Sequence, residues 1–151
     1  MRNWRCVLIL GAVLVTQQAR AAAPVFEGNS LNKVAVDKVC TRCHKNGMFL
    51  TTPRSWIRWT DVFRTMSARG ATGTDAELDR VVTFFLENLT IISVNASPGN
   101  ELGPVLGASD AVVEAILLRR EKQPFRDFDE LAVFPGLDRA TLQRRRSRIL
   151  F

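Results

Sequence analysis

The only histidine of this 151-residue chain directly follows a C-x-x-C pair, in the stretch Val39 to Gly47 that reads VCTRCHKNG. Cys40, Cys43 and His44 place three soft donor side chains within five residues, and the one remaining cysteine, Cys6, lies near the N-terminus. A chain with so few metal-binding side chains, all in one loop, must fold around whatever that loop holds.

Three chemistries use the C-x-x-C spacing. Structural zinc takes four ligands, usually from two separated pairs, and the sequence offers no second pair. A thioredoxin-like redox pair opens a helix inside a βαβ unit, whereas the flanking pattern here is helical without strands. Covalent haem attachment uses this order of residues. Two cysteines one helical turn apart form thioethers with the porphyrin vinyl groups, and the next histidine ligates the iron. The expected cofactor is therefore one covalent haem c, held by Cys40 and Cys43, with His44 as the proximal iron ligand.

The N-terminus points the same way. Arg2 and Arg5 precede an apolar run at residues 7–15 (VLILGAVLV), followed by QQARAAAP. A basic start, a short apolar stretch and an A-x-A pattern (Ala19, Ala21) describe an export signal at residues 1–21. The run is well short of the ~20 residues that cross a bilayer; an uncleaved anchor is the alternative. Cys6 precedes the apolar run and is expected to leave with the signal. Loss of Arg2, Arg5 and Arg20 leaves 18 basic residues against 15 acidic ones, so the net charge falls from +6 to +3. That balance weakens any argument for a nucleic-acid partner from charge alone. Two cysteines so close together would close only a small loop, so a disulfide framework is not expected despite export. The expected location is periplasmic or secreted.

The flanks of the motif resemble a small class I cytochrome c domain over about residues 25–92. In that family a short helix leads into C-x-x-C-H and an amphipathic helix at the domain's end packs across it. The entry helix would be SLNKVAVDKVC, with Asn29 or Ser30 as N-cap. The closing helix would be TDAELDRVVTFFLENL, opened by a Thr74–Glu77 capping box. Leu78, Val81, Val82, Phe85 and Leu86 follow the spacing of one buried helix face. Between them, Pro53 suits the first turn of a helix on which Trp56, Trp59, Phe63 and Met66 form an apolar face.

The sixth iron ligand narrows by counting. No second histidine exists, and the methionines beyond the signal are Met48 and Met66. Met48, four residues past His44, would have to pass around the porphyrin edge. Met66 is followed eight residues later by the start of the closing helix, similar to the family's order. The family more often spaces the two ligands further apart and presents the methionine from a loop. Met66 is the expected distal ligand; a core methionine with five-coordinate or lysine-ligated iron is the alternative.

After Asn88 the stretch ISVNASPGN marks a break in composition. Two similar units follow, ELGPVLGASDAVVEAILLRRE and DELAVFPGLDRATLQRRRSRI, joined by KQPFRDF: an internal repeat of paired helices. Residues 93–151 resemble the tandem helix-hairpin-helix domain of exported competence DNA receptors. In DNA-binding members the hairpin reads Gly-hydrophobic-Gly, and backbone N–H groups grip a phosphate. Here the hairpins read Gly107-Ala108-Ser109 and Gly136-Leu137-Asp138, so each keeps only its first glycine. Residues 96–151 hold nine basic and eight acidic side chains, little for a phosphate backbone to attract. The arginines at 139, 144, 145, 146 and 148 form either a basic patch, a solvated face or a protein-docking surface. The same tandem fold also docks protein in an extrinsic photosystem subunit, so the resemblance does not by itself imply DNA.

The expected architecture is all-α, with a signal at 1–21, a haem domain at 22–92 and a tandem helix-hairpin-helix domain at 93–151. The expected function is electron transfer by an exported single-haem cytochrome that is not itself an enzyme. Its second domain would dock a redox partner, such as a periplasmic dehydrogenase. The alternative is a haem-bearing DNA-binding protein of the cell envelope.

Overall fold

A computed structural model describes Phe26, Glu27, residues 29–45 and residues 48–151. The expected export signal, including Cys6 and the Ala19-x-Ala21 pattern, lies outside the described residues. Helix dominates what is described: α1 (Ser30–Cys40), α2 (Trp56–Ala68), α3 (Asp75–Leu89), α4 (Gly99–Leu106), α5 (Asp110–Lys122), α6 (Phe128–Ala132) and α7 (Arg139–Arg145). No described helix is long and apolar enough to cross a membrane.

Helix caps follow the sequence closely. The Asn29 side chain accepts from the Leu31 N–H at the start of α1. Thr74 and Glu77 form both halves of the capping box on α3. The buried face of α3 is rotated from the expected one, however. Val81, Phe84, Phe85 and Leu89 are buried while Leu78 is 40% exposed. The spacing 81, 84/85, 89 satisfies helical period as well as the expected set does, and α1 together with Trp59 fixes which stripe turns inward. Pro53 also lies outside its helix: α2 begins at Trp56 with Ser55 at the N-cap position.

The described residues are mostly helical, as the all-α expectation has it, with one small sheet besides. Strands β1 (Arg54–Ser55), β2 (Thr90–Ser93) and β3 (Ile149–Leu150) lie in the order β1-β2-β3, all parallel. Thr90 pairs with Arg54 and Ile91 with Ser55, while Ile92 pairs with Ile149 and Ser93 with Leu150. The first half of β2 therefore serves the N-terminal side and the second half the C-terminal side. Parallel pairing requires long crossovers, here supplied by α2–α3 and by α4–α7. The break in composition after Asn88 thus falls at a buried strand, with Thr90 and Ile92 essentially inaccessible. Thr-Ile-Ile, β-branched throughout, prefers the pleated conformation.

The buried apolar residues form two clusters. One runs from Ala35 to Leu89 and is centred on Trp59, Phe84 and Phe85. The other runs from Ile92 to Ile149 and is centred on Leu102, Ile116, Leu131 and Leu142.

The second cluster is built by two hairpins, α4–α5 and α6–α7. Each turns at a glycine with positive φ, +66° at Gly107 and +84° at Gly136, a region that side-chain-bearing residues rarely adopt. The two turns pack reciprocally. A Cβ at Gly107 would meet Thr141 of α7 at 3.4 Å, and one at Gly136 would meet Val112 of α5 at 2.5 Å. Thr141 and Val112 each stand five residues after their own hairpin's glycine. The repeat in the sequence is therefore a pseudo-two-fold repeat in space.

Candidate functional site

Helix α1 delivers the C-x-x-C-H segment. Cys40 is its last residue, and the chain leaves through a turn in which the His44 N–H donates to the Cys40 carbonyl at 3.3 Å. Cys40 is half-buried and Cys43 exposed, and both are free thiols. Burial, aided by the negative charge of Asp37, pushes the Cys40 thiol above its ordinary pKa. The Lys38–Glu77 ion pair ties α1 to the first turn of α3. The Lys38 contact, with the Thr74 N–H of the cap, draws the Glu77 carboxyl down to about 2.

His44 meets a residue from the far side of the motif. Its Nε2 lies 3.4 Å from the Met66 Sδ, with Met66 near the C-terminal end of α2. Met48, by contrast, is 71% exposed. The edge of Phe49 faces the His44 ring at 6.5 Å, and Phe49 in turn stacks on Phe85 at 6.1 Å. Phe85 is the hub: Trp59 approaches it at 4.7 Å and Phe63 at 5.0 Å. A recess of about 380 Å³ opens beside Met66, with Arg54, Arg58 and Asp61 along its wall.

The residues fit a haem on two observations. The first is the donor set: an imidazole nitrogen and a thioether sulfur, brought together here, are donor types that would ligate haem iron. Among the described residues no group of three or more His, Cys, Asp or Glu side chains is placed to hold a bare metal ion. The second is the packing around the pair. Cys40, His44, Phe49, Trp56, Phe63 and Met66 are all half-buried rather than closed off. That leaves apolar surface around the motif for a flat hydrophobic group to cover.

The arginines of the C-terminal segment are not one basic patch. Arg145 and Arg148 are buried, 8% and 7% exposed. Arg145 donates through Nη1 to the Pro104 and Val105 carbonyls at 2.9 and 3.0 Å, and its Nε meets Glu27 at 3.0 Å. Arg148 donates to the Glu87 carbonyl at 2.8 Å and to the Thr90 carbonyl at 3.1 Å. Arg144 pairs with Glu27, and the Arg146 guanidinium lies over the Phe128 ring at 4.5 Å. Arg139, 3.6 Å from Asp129, lies at the surface, and Arg144 and Arg146 are exposed as well.

These contacts join the two clusters. α3 ends without a glycine cap, and its last carbonyls need other donors. Thr90 Oγ1 serves the Phe85 carbonyl, Arg148 that of Glu87 and Trp59 Nε1 that of Leu89. A cation here also suits the negative end of the helix dipole. Glu27 completes the junction. Its N–H donates to Asn88 Oδ1 and its carbonyl accepts from Asn88 Nδ2, while its carboxylate takes Arg144 and Arg145. Burial pushes the Glu27 carboxyl up, but the two arginines outweigh it and hold it below the usual range.

The hairpin turns differ in their donors. Asp138 caps α7, its carboxylate accepting from the Thr141 N–H at 2.9 Å, the Thr141 hydroxyl at 2.7 Å and the Ala140 N–H at 3.4 Å. Those bonds hold the Asp138 carboxyl below its ordinary pKa. Ser109 occupies the same position on α5 without a side-chain cap bond.

Glu27, Asn88, Phe49 and Phe84 are site or junction residues that sequence reasoning missed. Glu27 and Asn88 stand 61 residues apart, and no local pattern pairs them. Phe49 had a usable signal, an aromatic beside buried Leu50 in a short loop just after the histidine. No protein-family model matches the chain, and no curated protein or solved structure is significantly similar to it.

Proposed function

We propose that this chain is an exported c-type cytochrome that carries one haem and passes single electrons. The observation that carries the reading is the approach of His44 Nε2 to Met66 Sδ at 3.4 Å, next to two free thiols in C-x-x-C-H order. Haem, when bound, supplies a one-electron iron couple, with a potential that His–Met ligation raises. The chain does the rest. Cys40 and Cys43 would anchor the ring through their thiols, and His44, next to Cys43 in the chain, and Met66 would supply the nitrogen and sulfur ligands to its iron. Phe49, Trp56 and Phe63 keep water from the ligands, and a drier site favours the less charged, reduced state.

In this reading residues 22–92 form a haem domain and residues 93–151 a tandem helix-hairpin-helix domain. The second domain docks a redox partner, such as a periplasmic dehydrogenase, and the protein acts in the periplasm or outside the cell. No catalytic residues are assigned. The alternative, a haem-bearing DNA-binding protein, has less support. Asp138 occupies the N–H groups that a phosphate would need, and Arg145 and Arg148 are buried.

Expression with haem-attachment machinery, followed by an optical spectrum of the purified protein, tests the haem reading. A low-spin c-type spectrum is expected, and matured but colourless protein contradicts it. Retention on duplex DNA at 0.15 M salt would favour the alternative; steep loss with salt would mark loose phosphate contact only.

A further inference from the structure

The junction between the two clusters encloses a cavity of about 330 Å³ lined by Glu27, Asn88, Arg144, Arg145 and Arg148. Three arginines and one carboxylate line it, so the lining carries a formal charge of +2. Arg144 and Arg145 share Glu27 between them. Arg148 pairs with no carboxylate among the described residues and donates only to the neutral carbonyls of Glu87 and Thr90. Burial first, then the nearby charge of Arg145, lowers Arg148 to about 10, with Glu27 only partly opposing. A buried, uncompensated cation is destabilising unless a counter-charge reaches it. Donors remain for one, because a guanidinium has five N–H groups and Arg148 uses two of its nitrogens. Arg144 likewise engages Glu27 through Nε and Thr141 through Nη2, with no bond from Nη1 among the described residues.

We propose that this cavity is an anion site, built by Arg144, Arg145 and Arg148, for a tetrahedral dianion of the inorganic phosphate class. Three forks approaching from one turn of chain match an acceptor with oxygens in several directions, and arginine pairs with phosphate in bidentate fashion. The cavity is half-enclosed and set between the two clusters. It therefore suits a free or terminal phosphate rather than the diester backbone of a nucleic acid, which must continue on both sides. Occupancy would fasten the hairpin region to the N-terminal region, because Arg148 reaches across to Glu87 and Thr90. Glu27 competes with the anion for Arg144 and Arg145.

The test is thermal unfolding of the matured full chain in phosphate, dimethyl phosphate or chloride at matched ionic strength. Phosphate should raise the midpoint saturably, by roughly 5–10 °C at a hundredfold excess over its dissociation constant. Dimethyl phosphate, a monoanionic diester, should behave as chloride does. Arg144→Gln, at a largely exposed side chain, should fold and lose most of the phosphate increment. Glu27→Gln should lower the midpoint in chloride and enlarge the increment in phosphate. Equal midpoints in phosphate and chloride for the parent chain would overturn the proposal. So would an increment in Arg144→Gln equal to the parent's, or equal stabilisation by dimethyl phosphate.

Discussion

The two apolar clusters are built from different materials. The C-terminal one is mostly aliphatic, with Leu102, Val105, Ile116, Leu131 and Leu142 wholly buried. The N-terminal one is aromatic, with Trp59, Phe84 and Phe85 at its centre. Around that centre Phe49, Trp56, Phe63 and Met66 remain half-exposed on the side that carries His44. Aliphatic side chains on a repeated hairpin can interdigitate to the density of a crystal. Large flat rings beside a two-donor site leave a face uncovered. The contrast is between a cluster closed by its own side chains and one that leaves several aromatic rings half-exposed, which is where the proposed haem would lie.

The largest effect should come from removing the attachment points. Cys40→Ser with Cys43→Ser should leave α4–α7 protected against hydrogen exchange. Amides of α1–α3 should exchange about a hundredfold faster or more, equivalent to roughly 3 kcal/mol of lost local stability. Equal protection in both halves would break the comparison.

Removing the proposed sulfur ligand is the next test. Met66→Ala should abolish the weak ferric charge-transfer band of thioether ligation and lower the potential. Met48→Ala should leave both nearly unchanged, since its side chain is 71% exposed. The reverse pattern would assign the wrong methionine.

The aliphatic half should be sensitive at its turns instead. Gly136→Ala combines a φ of +84° with a Cβ 2.5 Å from the stiff Val112 side chain. A loss of about 2–4 kcal/mol is expected by denaturant titration. Gly107→Ala meets only ordinary contacts, the nearest at 3.4 Å, and should cost about 1–2 kcal/mol. Equal losses would contradict the closer contact described at Gly136.

The smallest effect is electrostatic. The Glu27 carboxyl is depressed in the folded chain, so its tie to Arg144 and Arg145 is fully present above the unfolded carboxyl pKa. It is lost as pH falls from that value, near 4.5, through the folded one. Glu77, drawn down to about 2 in the fold, behaves in the same sense between about 4.5 and 2. Glu27→Gln should flatten the upper part of the acid limb of stability, by no more than about 1 kcal/mol for so exposed a partner as Arg144. An unchanged limb would show that Glu27 holds nothing at the junction.

Much of this arrangement was legible in the sequence, and for local reasons. The Thr74–Glu77 box, the entry helix ending at Cys40 and the two glycine turns are each encoded within a few residues. Counting donors singled out Met66 beside His44, and the two side chains do meet in the fold. What escaped was encoded across distance. β2 is a strand only because Arg54–Ser55 and Ile149–Leu150 flank it, and two-residue strands leave no alternation to read. The arginines read as one charged run, yet adjacent residues on a short helix face different ways. Arg145 and Arg148 went inward to carbonyls from α4, α3 and β2, which no charge count reveals. The turn of α3 that buried Phe84 in place of Leu78 was set by α1, and periodicity alone allows either stripe.

The central claim is that the open aromatic half is completed by a haem bound through Cys40 and Cys43. The most direct measurement is a denaturing gel of exported, matured protein, stained for haem peroxidase activity, beside the Cys40→Ser with Cys43→Ser variant. The account predicts a stained band at the mass of the parent chain that survives denaturation, and no stain in the variant. A parent band that is present but colourless contradicts it.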